Sequence, residues 1–250
     1  MLTTESRLTE LVHRLKDLAA SNLRSVVLYG SFSRGDFHPE HSDLNVLVLL
    51  ESVAAADLKR VSPAVKWWVI DQREPAPSFF TAEELARSSD VFAIELLDMR
   101  EAHKVLYGHD PVASINVPMN LHRVELEHEL RTTQLKLRQH YLLAADKPYE
   151  LTRVLIKSTS SVVTLFRHVL IAYNEAVPAS RQEIAARTAA ITGADACALS
   201  AGLQLRESPA TDHDIGAIYG AYLKAIEKVI TALDQLVPKD EWQRVAKSNS

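Results

Sequence analysis

The hydrophobic period of this chain changes once, near Val117. Before that point, short β-branched and aromatic runs alternate with loops and brief helical stretches. From about Asn120 onward, apolar residues recur only at helical spacing. Such a pattern predicts α/β followed by α. A small mixed, twisted β-sheet with flanking helices should occupy residues 1–117, and an antiparallel helical bundle residues 118–250. With 250 residues, 47% of them hydrophobic, the chain has enough apolar material for two modest cores.

In the first part, Leu8, Leu11, Val12, Leu15 and Leu18 mark an opening amphipathic helix, with Thr3 or Thr4 as its cap. Ser25-Val26-Val27-Leu28-Tyr29, ending at Gly30, reads as a buried strand, and Leu44 to Leu50 as a second. Val53 to Arg60 should be helical. The runs Lys66–Ile70 and Phe92–Leu97 are expected as further strands, with a helix capped by Thr81 between them and a short helix from Glu101 to Leu106 that stops at Gly108. In the second part, helices are expected at about Asn120–Ala144, Pro148–Asn174, Arg181–Ile191, Ala194–Leu205 and Asp212–Leu236, with a terminal turn near Trp242.

Charge narrows the partners. Residues 1–117 carry 12 Lys+Arg against 17 Asp+Glu, a net of −5; the remainder carries 16 against 15, a net of +1, and the two sum to −4. Neither part holds the clustered cations that long nucleic acid requires. Cys197 is the only cysteine, so an internal disulfide and a multi-cysteine zinc site are excluded; it reads as a small buried hydrophobe. The first residues lack a secretory pattern, and no uninterrupted apolar run reaches the roughly 18 residues of a span, so no membrane is expected and the cytoplasm is the default location.

The segment Leu28-Tyr29-Gly30-Ser31-Phe32-Ser33-Arg34-Gly35, followed by Ser42-Asp43-Leu44-Asn45-Val46, carries the chemistry. A buried strand delivers Gly30-Ser31 at its end, where a glycine lets backbone approach a ligand closely. A helix beginning near Ser31 would offer free N–H groups to an anion, and Arg34 could reach along a polyphosphate. Asp43 and Asn45, two apart on a strand, point to one face, with Leu44 and Val46 on the other. Two oxygen ligands beside a phosphate cradle suit a Mg²⁺-bound nucleotide. Loop residues His38 and His41 read as solvated. The lysine-bearing phosphate loop, the dinucleotide glycine fingerprint, the His-Glu-x-x-His helix and the Gly-x-Ser-x-Gly elbow are all absent from the sequence.

The combined pattern resembles the signature of the DNA polymerase beta superfamily of nucleotidyltransferases, closest to its small prokaryotic and aminoglycoside-modifying members. The resemblance covers roughly residues 1–110 and extends weakly to the helical part. It implies a nucleoside triphosphate as substrate, Mg²⁺ (or Mn²⁺) as cofactor, and a hydroxyl of a small molecule or a protein as acceptor of the nucleoside monophosphate. Carried over by position, Gly30, Ser31 and Arg34 would bind the nucleotide. Asp43 would be the first metal ligand, and Asn45 stands where the second aspartate is expected. Glu95, on the expected strand Phe92–Leu97, is the candidate third carboxylate, a metal ligand and base for the acceptor hydroxyl; Asp98 and Asp71 are its rivals.

Asn45 divides the functional readings. Asn can ligate through its carbonyl oxygen but brings no charge. One missing unit charge beside a divalent ion is worth on the order of a few kcal/mol, which makes a rate loss of about a hundredfold credible. The chain therefore reads either as a nucleotidyltransferase or as a catalytically degenerate nucleotide-binding module. A member of a two-protein toxin–antitoxin pair is a weaker third reading, and a homodimer is left open. On the predicted helix after Pro148, Arg153, Lys157, Ser160, Thr164 and Arg167 or His168 form one stripe that either binds the acceptor or faces solvent; Glu125 and Glu129 share that ambiguity.

Overall fold

The computed structural model describes residues 3–30, 44–113, 115–207 and 214–236. The chain forms two compact units, Met1–Pro118 and Met119–Ser250. The loop from Ser31 to Ser42, with His38 and His41, lies outside the described residues, as do Asp43 and the turn expected near Trp242.

In the first unit, α1 (Thr4–Ala19) is capped by Thr3, whose hydroxyl accepts from the Ser6 amide at 3.2 Å. Strand β1 (Leu23–Tyr29) pairs antiparallel with β2 (Asn45–Leu50) and with β4 (His103–Gly108), while the short β3 (Ser78–Phe80) runs parallel to β2. The sheet order is β3-β2-β1-β4, a small mixed sheet. Helices α2 (Ala55–Lys66), α3 (Ala82–Arg87) and α4 (Ala93–Glu101) complete the unit. Val26, Leu28, Leu44, Val46 and Val48 join Leu8, Leu11, Leu15, Val61 and Trp68 in one core. Val27, Leu47 and Leu49 on the alternate positions are buried too. Burial on both faces is why β1 and β2 read as continuous apolar runs. Thr81 closes a capping box with Glu84 at the start of α3.

Three expected elements change type. Lys66–Ile70 is not a strand: α2 runs to Lys66 and a π turn follows at Trp67–Asp71. Trp68 is fully buried while Val69 and Ile70 are 38% and 69% exposed, a pattern that does not alternate. Phe92–Leu97 is helical, because Ala93, Ile94, Leu96 and Leu97 bury in pairs one turn apart around exposed Glu95. Glu101–Leu106 is mostly strand instead of helix, since Val105 and Tyr107 find ladder partners in Val27 and Val26. Gly108 therefore ends a strand. Its φ is +79°, and a Cβ there would stand 2.0 Å from the Arg24 carbonyl oxygen.

The second unit is helical: α5 (Met119–Ala144), α6 (Pro148–Ala172), α7 (Arg181–Thr192), α8 (Ala196–Glu207) and α9 (Ile215–Asp234). Ser180 and Asp214 cap α7 and α9, and Gly193 ends α7 in a left-handed conformation. Helix α6 is long and apolar enough, by length and composition, to cross a membrane, but Leu155, Val162, Phe166 and Leu170 are buried as its core face. The stripe on α6 divides. Arg153 and Lys157 are exposed, with Arg153 paired to Glu150 at 2.8 Å, whereas Arg167 and His168 are buried. His168 Nδ1 and His122 Nε2 lie 2.9 Å apart in the interior. Glu125 and Glu129 are half-buried. The Tyr219 hydroxyl donates to the Leu137 carbonyl at 2.8 Å, and burial pushes its pKa up to about 12. Cys197 is exposed, not buried, because the first turn of α8 leaves it on the outer side.

Candidate active site

The candidate site forms where β1 and β2 end side by side. Tyr29 is the last residue of β1 and sits opposite Asn45, the first of β2. Leu28, Leu44 and Val46 all belong to the core beneath the sheet, so the pleat sends Tyr29 and Asn45 to the other face. Gly30 follows with φ +88°, a conformation that L side chains rarely adopt. A Cβ on Gly30 would stand 2.9 Å from Asn45 Nδ2, so the absent side chain is the space the Asn45 amide uses. The sequence-predicted pair Gly30 and Asn45 is thus brought together. Ser31, Arg34 and Asp43 lie outside the described residues.

Glu95 reaches the same neighbourhood by a different route from the one its sequence suggests. It stands in the first turn of α4, not on a strand, with its side chain exposed. Phe92, which heads α4, packs edge-on against Phe80 of β3, with ring centroids 6.2 Å apart at 78°. That contact holds the start of the helix to the sheet, three residues before Glu95. The Tyr29 hydroxyl registers the result. Burial raises its pKa most, a hydrogen bond with Ser78 lowers it, and the Glu95 charge raises it further, leaving it above the ordinary phenol value. Ser78 pairs with Leu47, two residues along β2 from Asn45, which places it on the same face.

Among the described residues, the candidate site therefore comprises Gly30, Asn45, Tyr29, Ser78 and Glu95. Tyr29 and Ser78 were not singled out by sequence reasoning. Tyr29 looked like the last residue of a strand, and Ser78 belongs to a three-residue strand too short to announce itself. The strand beside β2 carries Ser78, Phe79 and Phe80 and no carboxylate, and β4 carries none either. Asp98 lies one turn beyond Glu95, half-buried, and Asp71 is exposed at the end of the π turn. Among the described residues, no group of three or more His, Cys, Asp or Glu side chains is placed to hold a metal ion. The donors present, an amide oxygen, a hydroxyl and a carboxylate, are hard oxygen ligands of the kind Mg²⁺ prefers.

A small mixed sheet whose first two strands end at a glycine turn and an amide, followed by a helical unit, is the architecture of an α/β nucleotidyltransferase domain with a helical part. Residues 8–125 match the family described as Nucleotidyltransferase domain. The chain is also similar in structure to the spectinomycin adenyltransferase AAD(9) from Enterococcus faecialis, solved with ATP and spectinomycin. That likeness has a TM-score of 0.56 at 14% identity and covers 93% of this chain and 100% of the other. At that identity the likeness shows a common fold. Comparison with curated proteins found no match.

Proposed function

We propose that this protein transfers a nucleoside monophosphate from a nucleoside triphosphate to a hydroxyl of a small molecule. The observation that carries the reading is the meeting of Gly30 and Asn45 at the ends of β1 and β2, inside a segment that matches the nucleotidyltransferase family. The ATP and spectinomycin of the structural neighbour favour a nucleotide and a small hydroxylated acceptor over a protein acceptor.

In this reading, Ser31 and Arg34 hold phosphate oxygens, and the Gly30 turn admits the triphosphate close to the backbone. Asp43, the Asn45 amide oxygen and Glu95 would hold Mg²⁺, which when bound supplies charge neutralisation on the phosphates. The acceptor oxygen attacks the α-phosphorus, the bond to the β-phosphate bridging oxygen breaks, and pyrophosphate leaves. Glu95, exposed on α4, takes the acceptor's proton. The test is pyrophosphate release from each of the four ribonucleoside triphosphates with Mg²⁺ or Mn²⁺, across a panel of aminocyclitols and other polyols. Silence with every acceptor counts against transfer.

A second reading is favoured by two observations: Asn45 is neutral, and β3, the strand beside β2, offers Ser78 where a carboxylate could stand. In that reading the chain binds a nucleotide without turning it over. Calorimetric titration with ATP separates the two. Binding without turnover, with turnover gained by Asn45→Asp, identifies the degenerate module.

A further inference from the structure

We infer that Glu74 is a positioning residue for the candidate site, a largely enclosed carboxylate that supplies the Leu44 amide, just before β2, with its acceptor. The inference rests on the proposed nucleotide site. Strand β3 pairs with β2 only from Leu47 onward, and the β1–β2 ladder ends at Tyr29 and Asn45. The Leu44 amide lies beyond both. Glu74 Oε2 accepts it at 3.0 Å, while Oε1 accepts from Arg7 Nη1 of α1 at 2.5 Å. The Glu74 side chain is 10% exposed, so its charge is held by Arg7 away from solvent.

The carboxylate is aimed there by its own backbone. The Glu74 amide donates to the Trp68 carbonyl at 3.3 Å, and the Trp68 indole donates to the Pro75 carbonyl at 3.0 Å. Trp68 is fully buried, and Arg73 between these grips is held at φ +59°. A carboxylate fixed from two sides, with its two oxygens on two different elements, ties the π turn, α1 and the first residue before β2 into one unit. Leu44 immediately precedes Asn45, so the anchor sets where the Asn45 amide stands against Gly30. Glu74 touches no reacting atom; it acts through Leu44 and Asn45.

The test uses the full chain as Glu74→Ala and Glu74→Gln, with three measurements: affinity for Mn²⁺–ATP relative to metal-free ATP, hydrogen exchange of the Leu44 amide, and Tm. Loss of a residue that orients a metal ligand typically weakens metal affinity by about tenfold or more. We expect Glu74→Ala to lose about that much Mn²⁺–ATP affinity selectively, with faster Leu44 exchange. Glu74→Gln keeps one oxygen for the amide and should recover part of both. A merely structural glutamate would lower Tm and leave the ratio of the two affinities alone, and that result overturns the inference. If Glu74→Ala does not fold, Glu74→Gln decides on the same ratio. A wild-type chain that binds no nucleotide sinks the proposed function, and then Leu44 exchange decides the anchor by itself: an unchanged rate overturns it.

Discussion

Asn45 lays its side-chain amide into the space that a side chain on Gly30 would fill, 2.9 Å from where that Cβ would stand. In the proposed nucleotidyl-transfer reading, this neutral residue stands where a second metal-binding carboxylate is expected. Asn45→Asp adds one negative charge there without changing shape. The expected outcome is a gain of about tenfold or more in Mn²⁺ affinity in the presence of ATP, a gain of the order that one charge at partial screening supplies. Titration calorimetry reads the affinity and pyrophosphate release reads the rate. Unaltered metal dependence in the Asn45→Asp variant argues that Asn45 is packing alone.

Gly30→Ala tests the other half of that contact. A left-handed conformation costs an L residue about 1–2 kcal/mol, before the crowding of the Asn45 amide is added. Thermal unfolding of the first unit should fall by about 4 °C or more. Nucleotide affinity should drop further than Tm alone explains, because the new methyl displaces Asn45. A variant as stable as the wild type would mean that the turn relaxes freely.

Tyr29 reports the position of Glu95 without any need for activity. The Glu95 charge raises the phenol pKa and the Ser78 hydrogen bond lowers it. Glu95→Gln should therefore move the Tyr29 titration toward lower pH, and Ser78→Ala should move it higher. Ultraviolet difference titration against Tyr29→Phe isolates the signal. If Glu95→Gln leaves the curve in place, α4 does not hold that carboxylate near β1.

In the helical unit, Glu127 accepts from Arg131 Nε at 2.7 Å and Arg123 Nη1 at 3.1 Å. Burial pushes its pKa up, but the hydrogen bonds and charges of the two arginines outweigh that, and the net shift is downward from 4.5. A depressed carboxylate contributes stability that is complete above its unfolded value and is lost as pH falls through the folded value. Glu127→Gln should lower stability by on the order of 1 kcal/mol at neutral pH. The gap between the two proteins should close as pH drops below about 4.5, the ordinary value for glutamate. Denaturant melts from pH 7 to pH 3 measure it; a gap that persists at the acid end would falsify the pairing.

Where structure follows from neighbours along the chain, it was legible in the sequence. The five helices of the second unit, a threonine cap at position 3 or 4, the Thr81 cap, β1 and β2, and the face of Asn45 opposed by Leu44 and Val46 all follow from local period and capping chemistry; the fold selected Thr3. The tertiary structure decided what local period leaves degenerate. Short apolar runs such as Trp67–Ile70 and Phe92–Leu97 suit a strand or a buried turn of helix equally, and the choice fell to whatever partner was within reach. Val105 and Tyr107 became strand because β1 had an open edge, and Glu95 became a helix residue because its neighbours bury in pairs. Ser78 and Glu74 come beside Leu47 and Leu44 only through contacts between segments distant in the chain, and such contacts exist only once the chain has folded.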